Sequence, residues 1–203
     1  MKIGFNLLLW TPHVTAKHLP IIKALKAAGY DGVEVPVFEG VPGHYAWLGG
    51  ELDKLGLERT TVSLLPSPEV NSLSPDAASR KAALAHAKWA IDCAAALGAP
   101  TIAGPMHSAL GHFSGAAPTA AERKRGISFH RGAGDYAGKR NIRFAVEALN
   151  RFECYFLNTM EQLEDYLSEV DHPAMQGMYD TFHANIEEAD PIAAIKTIRP
   201  HMI

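Results

Sequence analysis

Glu147-Ala-Leu-Asn-Arg-Phe-Glu153 and Tyr179-Asp180-Thr-Phe-His183-Ala-Asn185-Ile-Glu-Glu188 are the stretches of this chain whose residue types and spacing could do chemistry. Each sets an acidic residue at the mouth of an apolar, strand-like run and adds polar groups just beyond it. A divalent metal holding an oxygen-rich substrate needs that pattern, because carboxylate oxygens suit hard cations. Ile142, Phe144 and Val146 share one face of their strand, and Glu147 has the opposite parity. A carboxylate pointing inward from a strand end must be paired, protonated or bound to a cation. A buried ion pair is the structural alternative, but no lysine occupies a matching strand end and Arg143 lies lower on the strand. Asp180 ends the next strand, where it could share one cation with Glu147 or cap the turn that follows. Two carboxylates favour Mg2+ or Mn2+, and an added imidazole tilts the choice toward Mn2+ or Co2+.

Other polar groups are candidates for holding a substrate. Glu153 and His183 lie just past the two strand ends and should project into the mouth, where they could bond substrate hydroxyls. Taken singly, either could be a solvated loop residue. His107-Ser108 ends an earlier strand and gives a weaker signal of the same kind. Trp10, at the top of the first strand, could form an apolar wall of the pocket or belong to the core. Glu34 reads as a structural interior hydrogen-bonder, and Glu187-Glu188 as a solvated face.

Short β-rich runs alternate with longer helical ones to position these groups. Strands are predicted at Ile3–Leu9, Gly32–Phe38, Thr60–Leu65, Thr101–Gly104, Ile142–Leu149 and Met175–Tyr179. Helices are predicted over Thr15–Ala28, His44–Leu55, from Ser74 as N-cap with Pro75 at the first helical position to Leu97, from a Thr119–Glu122 capping box to about Lys139, from a Thr159–Gln162 box to about Val170, and from Asp190-Pro191 onward. His201-Met202-Ile203 resembles the start of a seventh strand. Strict alternation implies a parallel sheet with right-handed crossovers. The turn after the first strand, Leu9-Trp10-Thr-Pro-His13, has no glycine, which disfavours an open dinucleotide-binding sheet. The polar residues cluster at strand C-termini, where barrel enzymes build their sites. The pattern therefore favours a (β/α)8 TIM barrel, a single α/β domain over residues 1–203.

Bulk composition bounds the rest. The 203 residues are 47% hydrophobic and 20% charged, as in a globular domain with one sizeable core. The net charge of −3 provides no general basic field for nucleic acid. The basic runs Arg123-Lys124-Arg125 and Lys139-Arg140 read as solvated helix faces. Cys93 and Cys154 have no metal-like spacing, which argues against a disulfide scaffold or zinc knuckle and suits a reducing cytoplasm. The first residues form too short an apolar run for a signal peptide and lack a small-residue cleavage site. No segment has the roughly 20 apolar residues of a membrane helix.

The two long motifs closely resemble those of the ketose 3-epimerases, the D-tagatose, D-psicose (allulose) and L-ribulose 3-epimerases of the xylose-isomerase-like sugar epimerases. Ser74-Pro75-Asp76, Gly104-Pro-Met-His107-Ser108 and the opening Met1-Lys-Ile-Gly-Phe5 are also similar, so the resemblance covers the whole chain. It implies a (β/α)8 barrel and a divalent metal, usually Mn2+, held by Glu, Asp, His and Glu from strands five to eight. Glu147 and Asp180 match the first two ligands. The family's substrate-binding glutamate and histidine match Glu153 and His183. The implied reaction removes the C3 proton of a ketose, passes through a cis-enediolate and returns a proton to the opposite face, with Glu147 as one of two flanking glutamates. A homodimer or tetramer is also implied.

The remaining histidine and glutamate ligands are not among these 203 residues, nor is a substrate-contacting arginine of the family. A barrel truncated after six βα units is expected, with strands 7 and 8 missing and the edges of strands one and six unpaired. Asn6 stands where these epimerases often carry an aromatic residue, which leaves the sugar open. The alternatives are an aldose–ketose or hydroxypyruvate isomerase of the same superfamily, and an inactive truncated form that only binds sugar or a partner. An abasic-site endonuclease would need a His-rich zinc cluster and a basic face, against the charge of −3.

Overall fold

Six parallel strands carry the site: β1 Gly4–Asn6, β2 Gly32–Pro36, β3 Glu58–Val62, β4 Thr101–Gly104, β5 Arg143–Glu147 and β6 Met175–Met178. A computed structural model describes residues 1–203. Spatial order equals chain order, β1-β2-β3-β4-β5-β6, and every neighbouring pair is parallel. The helices α1 Leu19–Ala27, α2 Pro42–Leu55, α3 Ala77–Leu97, α4 Ala120–Gly138, α5 Met160–Val170, α6 Thr181–Glu187 and α7 Pro191–Ile198 connect and cover them. β1 and β6 do not pair with each other. Beyond β6, Gly177 makes a parallel bridge to Met202, Gly177 N donates to His201 O, and Ile203 N donates to Gly177 O. The expected start of another strand is therefore in place.

One apolar cluster of 42 buried residues fills the space between sheet and helices. Strand parity feeds it. Phe144 and Val146 of β5 are wholly buried in it, while the exposed Arg143 and the buried Glu147 take the other side. Gly104 ends β4 at φ +125°, and a Cβ there would stand 2.1 Å from Ser63 O. Only glycine lets the two strand tops approach so closely.

Several expected boundaries move, for local reasons. The first strand stops at Asn6, whose Oδ1 accepts from Leu8 N at 2.9 Å and turns Leu7–Leu9 into a 3-10 turn. The first helix splits into a 3-10 turn, Ala16–His18, and α1, because Pro20 suits only a first helical turn. The third strand begins at Glu58 and ends at Val62, leaving Leu65 in an isolated bridge to Ala109. Asp76, not Ser74, caps α3: its carboxylate accepts from Ser79 N at 2.8 Å, and Pro75 precedes the cap. Both expected capping boxes, at Thr119 and Thr159, are present.

The basic runs are only partly solvated. Arg123 pairs with Glu169 at 2.8 Å and Arg125 Nε donates to Leu73 O at 2.7 Å. Arg140 pairs with Asp92 at 2.7 Å and lies 3.6 Å from the Tyr136 ring centroid. Cys93 and Cys154 are free and buried. No helix is long and apolar enough to cross a membrane.

Candidate metal and substrate site

β5 and β6 deliver their last residues to the same end of the sheet. Glu147 closes β5, opposite Met178 of β6, and is 8% exposed. Asp180 follows β6 and caps α6, with Oδ1 accepting from Phe182 N at 2.6 Å and from His183 N at 3.2 Å. The cap and the ligand readings of Asp180 are compatible, because one oxygen makes both cap bonds and the other stays available. The short helix α6 then carries His183 back over β5. Ligand atoms of Glu147, Asp180 and His183 all lie within 4.8 Å of one another.

Glu147 is the most perturbed of these groups. Burial pushes its carboxyl up, and Asp180, Glu34 and Glu153 push it further, to about 8. Burial also raises Glu34, which accepts from Asn6 Nδ2 at 2.9 Å and from Thr60 Oγ1 at 3.1 Å. Glu34 is thus the interior hydrogen-bonder its position suggests, and it adds negative charge to the same axis. No lysine or arginine pairs with Glu147; its one ion-pair neighbour is His183, Nε2 to Oε1 at 3.6 Å. Acidic groups converging with no basic side chain between them suit a divalent cation, which would relieve their mutual repulsion.

His183 is buried, and its Nδ1 faces two donors, Asn150 N at 3.2 Å and Asn150 Nδ2 at 2.9 Å. Glu153 is half-buried, with Oε1 accepting from the same Nδ2 at 2.7 Å. Both candidate substrate contacts therefore stand beside Glu147, tied together by one amide. Next to them, Arg151 N, Nε and Nη2 all bond the Glu187 carboxylate.

Two expected placements are corrected. His107 is fully buried, with Nδ1 3.1 Å from Ser108 Oγ and Nε2 3.9 Å from Cys154 Sγ. Burial lowers its pKa to about 4, so the packed ring is neutral near pH 7. Its carbonyl accepts from Ser72 Oγ at 2.5 Å, which ties the segment after β4 to the one after β3. Glu187 and Glu188 are not a solvated face. The Glu187 side chain is 4% exposed beneath Arg151, and Glu188 accepts from Met160 N at 2.6 Å at the start of α5. Trp10 is 44% exposed and stacks on Phe5 with ring centroids 4.6 Å apart, so it is available as a wall and is not core.

The contacts of Asn150 and the Arg151–Glu187 clamp are not foreseen in the sequence, which offers Glu187 only as part of a solvated face. Their only signal was that Asn150 and Arg151 sit between the two glutamates of the first motif, and that Glu187 is the last residue but one of the second.

Comparison with known proteins agrees with this fold. The xylose isomerase-like TIM barrel family matches residues 22–202. The ketose 3-epimerase of Arthrobacter globiformis is 32% identical over 196 residues, covering 96% of this chain and 67% of the relative. The D-psicose 3-epimerase of Agrobacterium fabrum is 31% identical over 204 residues, covering 98% and 70%. A crystal structure of a D-psicose 3-epimerase in the presence of D-fructose superposes with a TM-score of 0.88 at 31% identity, covering 100% of this chain and 71% of that one. The structure of an L-ribulose 3-epimerase gives 0.90 at 25% identity, covering 100% and 68%. The chain belongs to the xylose isomerase-like TIM barrel family, among its ketose 3-epimerases.

Proposed function

We propose that this protein epimerises a free ketose at C3, with a divalent metal, Mn2+ first, held by Glu147 and Asp180. The observation that carries the reading is the buried Glu147 carboxyl, pushed up to about 8 beside Asp180 and Glu34 with no lysine or arginine to pair it. The relatives named above, ketose and D-psicose 3-epimerases, supply the reaction class. A bound cation would polarise the substrate's carbonyl and stabilise the developing oxyanion.

The rest is done by the chain's own side chains. Glu147, as carboxylate, takes the C3 proton, because it faces the axis and lies beside the candidate ligand Asp180. The electron pair left at C3 moves toward C2, giving a cis-enediolate. Glu153 and His183 hold the substrate's oxygens and keep C3 against Glu147. Inversion needs a proton delivered from the opposite face; the resemblance gives that task to a glutamate of the eighth strand. Cytoplasmic residence, a homo-oligomer and a single catalytic domain complete the reading, and the two free buried thiols suit the first of these.

The test is product analysis by the protein in its full reading frame, with Mn2+, on a panel of ketoses in D2O. Epimer formation with deuterium at C3 supports the proposal. Label at C1 with an aldose product would indicate an aldose–ketose isomerase. No label on any sugar would leave the inactive, sugar-binding alternative.

A further inference from the structure

Asn150 lies between the two glutamates of the first motif, and its side chain hydrogen-bonds to neither candidate metal ligand. Its side-chain orientation is fixed by three contacts. Oδ1 accepts from Phe152 N at 3.0 Å, which turns Nδ2 the other way. Nδ2 then donates to Glu153 Oε1 at 2.7 Å and to His183 Nδ1 at 2.9 Å. The backbone N–H of the same residue donates to His183 Nδ1 as well, at 3.2 Å. Nδ1 meets two N–H donors, so it must present a lone pair. The ring hydrogen is then on Nε2, the atom 3.6 Å from Glu147 Oε1.

From this geometry we propose that Asn150 is a positioning residue that fixes the tautomer of His183 and tethers Glu153. The consequence for the site is specific. With its hydrogen on Nε2, His183 presents a donor to the cavity and no lone pair, so it bonds a substrate oxygen and does not join Glu147 and Asp180 as a ligand. Asn150 also sets the distance between that donor and the Glu153 carboxylate, since one amide nitrogen holds both. The inference rests on the epimerase reading for its catalytic consequence, but not for the tautomer.

The test uses protein labelled with 15N in its histidines and long-range proton–nitrogen correlation spectra. In the parent, His183 should give an imine-type Nδ1 and a pyrrole-type Nε2. Asn150→Asp puts a carboxylate where the donor was, so the pattern should swap, with the hydrogen moving to Nδ1. Asn150→Ala keeps the backbone donor but frees Glu153; the Nδ1 resonance should move part of the way toward the tautomeric average. With a ketose, either variant should raise KM about tenfold and change kcat less, as expected when a binding contact made equally in ground and transition state is loosened. An unchanged His183 pattern in both variants overturns the tautomer claim, and a swapped pattern with parental KM overturns the positioning role. The spectra are read whether or not the chain turns over a ketose, so failure of the epimerase reading is distinguishable.

Discussion

His183 Nε2 stands 3.6 Å from Glu147 Oε1, joining the two acidic motifs across neighbouring strand ends. Burial, Asp180 and Glu34 hold Glu147 near 8, against an ordinary value of 4.5. A raised folded-state value means the protonated group suits the fold. Its contribution to stability is complete below 4.5 and is lost as pH rises through about 8. Glu147→Gln should therefore raise the metal-free protein's stability at pH about 8.5 by on the order of 2–4 kcal/mol while abolishing turnover. Urea titrations of the two proteins check this; a less stable Glu147→Gln at that pH would contradict it.

A cation held by Glu147 and Asp180 competes with that proton. Added Mn2+ should raise the melting temperature more at pH 8.5 than at pH 6, and Asp180→Asn should remove the difference. Asp180→Asn keeps a side-chain oxygen able to cap α6, so loss of the metal effect without loss of fold is the expected pairing. A pH-independent Mn2+ shift, or one that survives in the variant, would count against this site.

Arg151 and Glu187 lock the loop after β5 onto α6 through three donors on one carboxylate. Glu187→Ala should release that loop without touching Glu147. Faster amide exchange at Arg151 and a KM increased about tenfold, with kcat nearly unchanged, are the expected results. Parental exchange at Arg151 would show that the clamp is dispensable.

Acid should act through the interior histidines. Burial lowers His107 to about 4 and His130 to about 3, each from 6.5. Lowered histidines contribute stability that is present above 6.5 and lost as pH falls toward those values. Stability should decline between pH 6.5 and 4, against the opposite trend set by Glu147. His130→Gln should remove up to about one proton from that slope. An unchanged slope in the variant would contradict the assignment.

Gly104→Ala should cost about 3 kcal/mol or more, since the new Cβ would meet Ser63 O at 2.1 Å from a left-handed backbone. Denaturant unfolding checks it, and a cost under about 1 kcal/mol would mean the β3–β4 approach relaxes easily.

Much of this was legible in the residues. Alternation and parity located β5, and the acidic residues closing β5 and following β6 marked the candidate site. Capping boxes at Thr119 and Thr159 marked two helix starts. What escaped was set by contacts between residues distant in sequence. Asn150 has no helical or strand period to betray it, and its role exists only because α6 brings His183 over β5. Glu187 looks solvated in a polar run until Arg151 covers it. His107 ends a strand as a catalytic histidine might, yet Ser108 and Cys154 enclose its ring. Asn6 stopped β1 early because its short side chain accepts from the backbone N–H of Leu8, a choice that hydrophobic patterning does not record.

The central claim is that Glu147 moves the C3 proton of a ketose beside a metal held with Asp180. The most direct measurement is deuterium uptake at C3, followed by NMR, during incubation of ketoses with the full reading frame and Mn2+ in D2O. Uptake at C3 that accompanies epimer formation, needs Mn2+ and vanishes in Glu147→Gln is the predicted result. Uptake that persists in Glu147→Gln, or epimerisation without label at C3, would contradict it.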